Sequence, residues 1–170
     1  MVTIAVFWII IIIFAIHYIY ICHKMKLITN ILLLAALIIY VFTPFIDISF
    51  QGSMNGFEYT TATINNSPDI ARKLFSLAPY VACFGGISLN SLLHRYWGFA
   101  VIPFIILGIG FYEEARRFAL LEAPEFFNIT GFGYGFNIGY GLMVAALISA
   151  VVSLLPFAFN KIHEIREKHK

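Results

Sequence analysis

The chain has 170 residues, 61% of them hydrophobic and only 12% charged, with a net charge of +2. A typical soluble domain is about 45–50% apolar and about 25% charged, and a chain this short has too much surface to hide such an excess from water. A mean hydropathy of +0.87 therefore points to lipid as solvent, and the small charge without a Lys/Arg run excludes a nucleic-acid binder.

A membrane helix needs about 20 largely apolar residues. Five segments qualify: 2–22, 27–46, 74–93, 97–112 and 136–159. The first carries no charged residue. It lacks the basic start and small-residue cleavage site of a signal peptide, so it reads as a retained span. Residues 23–26 are all that separate it from the second segment, which predicts a tight antiparallel hairpin. The third segment is the most polar, with Pro79, Gly85, Gly86, Ser88, Asn90 and Ser91, and a re-entrant path is its alternative. His94 and Arg95 separate it from the fourth. Cys22 and Cys83 both fall inside predicted spans, where cysteine acts as a small hydrophobe.

Cytoplasmic loops carry the excess of Lys and Arg. Five spans put Lys24, Lys26, Arg95, Lys161, Arg166, Lys168 and Lys170 on one side, against Arg72, Lys73, Arg116 and Arg117 on the other. Seven against four predicts an external N-terminus and a cytoplasmic C-terminal tail, residues 160–170. The expected fold class is all-α: a polytopic helical bundle forming one transmembrane domain over 1–170, in a cell membrane, with the bacterial inner membrane favoured.

Two outer loops follow, 47–73 and 113–135. In the first, the Thr- and aromatic-rich stretch 57–64 suggests extended chain. Ser67-Pro68-Asp69 reads as a helix start, with a Ser cap, Pro in the first turn and an acid behind it. That helix is expected to run into the third span and bend at Pro79. In the second loop, helix-forming residues predict that the fourth helix continues to Pro124.

The densest pattern is of small residues four apart. The third segment has Ala78, Ala82, Gly86 and Asn90; the fifth has Gly141, Ala145, Ser149 and Ser153, extended outward by Gly135 and Gly139. Small residues on one helix face let backbones approach closely, which in lipid replaces the hydrophobic effect as the cohesive force. These positions are expected to form helix-packing faces, possible partners of one another.

Reactive groups are few. His17 in the first span and the pair Glu113-Glu114 are the ionisable candidates for an ion or polar site. The neighbouring Arg116 and Arg117 argue for neutralised surface charge instead. Gly133 and Tyr134 belong to a glycine–aromatic segment, 131–141, that resembles a potassium-channel filter in composition. Gly131 stands where such a filter has Thr, so the register fails. The histidines and carboxylates show no metal-ligand spacing, and no cofactor is expected. The expected partners are the lipid bilayer and other membrane subunits, or further copies of the chain. The leading function is a non-enzymatic subunit or assembly partner of a membrane complex. The alternatives are a channel or carrier built on 131–141, and an intramembrane enzyme built on Glu113 and Glu114.

Overall fold

The computed structural model describes residues 24–48, 52–93, 96–121 and 129–168, and these are mostly helical. In chain order the elements are α1 (Lys24–Phe42), β1 (Pro44–Ile48), β2 (Gly52–Asn55), α2 (Gly56–Asn66), α3 (Ile70–Phe75), α4 (Ala78–Leu92), α5 (Trp97–Leu121), β3 (Ile129–Phe132) and α6 (Tyr134–Lys168). Three helical stretches are long and apolar enough to cross a bilayer: Lys24–Phe42, Trp97–Phe118 and Tyr134–Phe159. α4 has 15 residues, about 22 Å of helix at 1.5 Å per residue.

Side-chain contacts fix the directions of the four long elements. Met25, at the start of α1, lies against Ser149 in the later half of α6. The start of α5 lies there too, since Gly98 packs against Ala150 and Leu154. At the opposite end, Thr43 after α1 meets Gly135 at the start of α6, and Tyr112 of α5 meets Gly139. α1, α4, α5 and α6 thus alternate up and down, and α5 packs against both α4 and α6. Three predicted segments, 27–46, 97–112 and 136–159, coincide with α1, α5 and α6 with altered limits, whereas the third, 74–93, is broken between α3 and the shorter α4. The helix expected over 27–46 already includes Lys24 and ends at Phe42, because Pro44 cannot donate to a continuing helix and constrains Thr43 before it. The fourth helix continues to Leu121 and the last to Lys168, through Pro103 and Pro156 respectively. Residues 2–22 lie outside the described residues.

A mixed cap closes the end of the bundle where α1 finishes and α6 starts. Its core is a three-stranded antiparallel sheet in the order β2-β1-β3, with Ile46 opposite both Met54 and Phe132. The stretches expected as loops, 47–73 and 113–135, therefore contain strands, and Asp47 lies within β1 rather than at a helix end. Residues 57–64, expected to be extended, are helical in α2. Asn55 and Glu58 form a capping box there: each side chain accepts the other's backbone N–H at 2.9 Å. Ser67 ends α2 instead of starting a helix, its N–H bonded to the Thr63 carbonyl. Asp69 caps α3 by accepting from the Ala71 N–H at 2.9 Å. The break before α4 falls at Ser76 and Leu77, with Pro79 in its first turn, so the proline starts a helix rather than bending one.

Phe45 of β1 is the plug that joins cap to bundle. It is fully buried, and its ring centroid lies 5.0 Å from Tyr40, 5.2 Å from Phe136, 5.5 Å from Tyr59 and 5.7 Å from Tyr112. Edge and tilted packing of this kind stabilises beyond burial alone. Tyr40 is held further by a 2.7 Å hydrogen bond between its hydroxyl and that of Thr60 in α2.

Candidate functional site

Ala78, Ala82, Gly86 and Asn90 are all buried in the bundle. They face α1 and α5: a Cβ on Gly86 would lie 2.9 Å from Leu33 and 3.7 Å from Val101. Asn90 anchors a polar junction. Its Nδ2 donates to the Lys26 carbonyl at 2.9 Å and to Asn30 Oδ1 at 2.6 Å. Beside it, the Thr29 hydroxyl donates to Ser149 Oγ at 2.9 Å, and the Lys26 ammonium donates to the Leu93 carbonyl. Three helices are tied at one level by polar groups that lipid could not satisfy.

On α6 the predicted stripe divides. Gly135 and Gly139 are buried, and a Cβ on either would collide, with Thr43 and with the Tyr112 hydroxyl respectively. Ser149 and Ser153 are buried too, and Ala145 is half-buried. Gly141 is exposed, and a Cβ there would meet nothing within 4 Å among the described residues. Residues two apart on a helix cannot share a face, so Gly139 and Gly141 look in different directions. The buried line follows Gly139, Met143, Ala146, Ala150 and Ser153. Nor do the two stripes meet as one interface. Gly108 of α5 lies between them, its would-be Cβ 3.1 Å from both Ala82 and the Met143 sulfur.

The exposed side of α6 carries Asn137, Ile138, Gly141 and Ile148. Asn137 and Gly141 are one helical turn apart on that outward side. An amide and a glycine turned away from the fold are unusual on an apolar helix, and periodicity alone could have separated them from the buried line.

The glycine–aromatic segment is a strand followed by a helix start. Ile129–Phe132 pairs with β1, and the Gly133 N–H donates to the Phe45 carbonyl at 3.0 Å. Gly133 is buried where a Cβ would overlap the Pro44 carbonyl, whereas Tyr134 is 59% exposed. Gly133 and Gly135 are therefore required by close approach to the end of α1.

Glu113 and Glu114 lie on α5 beside the cap. Glu113 pairs with Arg116 at 3.8 Å, and the Arg116 guanidinium also lies 5.8 Å from the Phe136 ring. Glu114 lines a crevice with Tyr59, Thr63, Arg72 and Phe118 that has about 20 Å³ of open space, enough for about one water. Arg72 sits 3.9 Å over the Phe118 ring. Burial pushes the Tyr59 phenol up to about 12, against the opposing effects of the Thr63 hydrogen bond and of Arg72. His17 lies outside the described residues. Among the described residues no cluster of His, Cys, Asp and Glu is arranged to hold a metal.

The arrangement is a helical bundle with three helices long and apolar enough to cross a membrane and a mixed cap; among the described residues its small-residue faces are used internally and one amide–glycine face is turned outward. Comparison with family models, with curated proteins and with solved structures finds no match.

Proposed function

We propose that the chain is a non-enzymatic subunit or assembly partner of a membrane complex, joined to its neighbour through the outward face of α6. The observation that carries this reading is the pair Asn137 and Gly141, one turn apart on a face that no described residue covers. In lipid an amide without a partner is costly, and a partner helix could approach closely at Gly141 and receive the amide's hydrogen bonds. In this reading the protein crosses the membrane five times: residues 2–22, α1, a short crossing by α4, α5 and α6. The end bearing Lys24, Lys26, Lys161 and Arg166 is cytoplasmic and the cap is external. The residence proposed is a bacterial inner membrane.

Affinity purification of the full chain in mild detergent tests this. Gly141→Leu adds bulk where no described residue lies within 4 Å, so the protein should fold as before yet lose the co-purifying subunit. A complex that survives both Gly141→Leu and Asn137→Leu overturns the assignment. The channel and enzyme readings gain no observation of comparable weight: the 131–141 segment is absorbed into the sheet and α6, and the crevice beside Glu114 has room for little more than a water.

A further inference from the structure

We infer that a groove between the start of α5 and the last turns of α6 binds one acyl chain of an anionic phospholipid, with Lys161 meeting the headgroup. The inference needs only that the bundle sits in a membrane, and is independent of the subunit reading. The groove measures about 410 Å³ and is walled by Phe99, Val151, Leu154, Leu155, Phe157 and Ala158. That is the size range of small-ligand pockets, about 300–1,000 Å³, but without the convergent polar groups that orient a soluble ligand. An apolar slot of this kind fits hydrocarbon.

Charge complementarity selects the headgroup. Lys161 lines the same groove and is exposed. Its ammonium lies 5.9 Å from the Phe157 ring centroid, and no ion pair to a carboxylate holds it among the described residues. Tyr96, Phe99 and Phe157 cluster at this end, with ring centroids 5.3–6.5 Å apart, as aromatic side chains do at the level of lipid headgroups. Lys24, Arg166 and the exposed Glu167 belong to the same end of the bundle, and Lys26 there is engaged with the Leu93 carbonyl, so Lys161 is the cation that the groove itself presents. Basic pockets between membrane helices on the cytoplasmic side are suited to anionic headgroups.

The test is native mass spectrometry of the purified full chain with phosphatidylglycerol and phosphatidylcholine of identical acyl composition. Wild type should retain phosphatidylglycerol about fivefold more, the discrimination expected of one basic residue at a membrane surface. Lys161→Gln should bring the two lipids within about twofold with an unchanged melting temperature, since the side chain is exposed. Ala158→Trp, which fills the slot, should lower retention of both lipids. Equal retention by wild type, or a preference unaffected by Lys161→Gln, overturns the inference. So does efficient disulfide formation in native membranes, in a Cys22→Ser background, from Val151→Cys to a cysteine placed in residues 2–22 or to a second copy. Either disulfide would show that protein fills the groove.

Discussion

Gly139 and Gly141 are separated by one residue and should respond oppositely to the same change. Leucine at 139 drives a side chain into the Tyr112 hydroxyl, and Tyr112 is fully buried among aromatic rings with no room to retreat. Overpacking of this kind costs about 1–3 kcal/mol or more, and thermal unfolding in detergent should show it. Leucine at 141 should leave the melting temperature unchanged. Asn90 gives a second residue-level expectation. Asn90→Ala strands Asn30 and the Lys26 carbonyl in the bundle, so stability should fall by about 1–2 kcal/mol, on the scale of a buried group losing its partner. Tyr59 gives a third. Its folded pKa, about 12, lies above the ordinary value of 10.0, so the neutral form is what the fold favours. The corresponding stability is fully present below pH 10 and is lost as pH rises toward 12. Tyr59→Phe should flatten that loss in a denaturation series. The sequence made the α4 stripe legible because four residues at strict spacing of four stay on one side over so short a helix. The α6 line was blurred because it follows the true helical period of 3.6, which strict fours overrun by about 40° per step.

At the scale of elements, the helices were legible from long apolar runs and the cap was not. The predicted span 27–46 takes in the first part of β1 because Phe45 and Ile46 look like a continuation of α1, and the loop 47–73 takes the rest; the stop signal is Thr43-Pro44, weak beside so much hydrophobicity. α2 was hidden by its threonines, which favour strands in isolation. The capping pair Asn55 and Glu58 was the local sign of its start. Asn55→Ala should cost about 1 kcal/mol by removing that cap. Phe45→Ala tests the cap as a whole. Removing a buried phenylalanine ring costs about 3–5 kcal/mol, and because four elements meet at this ring, protease accessibility of α2 should rise together with the fall in melting temperature. The polar junction around Asn90 is an element-level feature as well. Its groups come from residues 26, 29, 30, 90 and 149, and nothing local in the sequence says that those positions converge.

For the whole molecule, the contact pattern makes the charge count a geometric statement. The start of α1, the end of α4, the start of α5 and the later part of α6 share one end, so Lys24, Lys26, Lys161 and Arg166 lie at the opposite end of the bundle from Arg72, Lys73, Arg116 and Arg117. The proposed orientation then predicts labelling. In intact cells a cysteine placed at Glu58 should react with a membrane-impermeant maleimide, and one placed at Arg166 should react only after permeabilisation. The reverse pattern would invert the topology without disturbing the bundle.

The sheet carries a consequence for the order of assembly. β1 is the central strand, yet its partner β3 lies more than 80 residues further along the chain, with Ile46 opposite Phe132. During synthesis α4 and α5 must both be made, and must turn back, before that edge of β1 can be covered. Until then the nascent protein presents an unpaired strand edge, a surface prone to pairing with the wrong chain, and closure waits on a distant contact that forms late. The glycines at 133 and 135 let α6 seat against Thr43 and Pro44 in that last step, which makes the cap a lock that can only be turned once the whole bundle has been threaded.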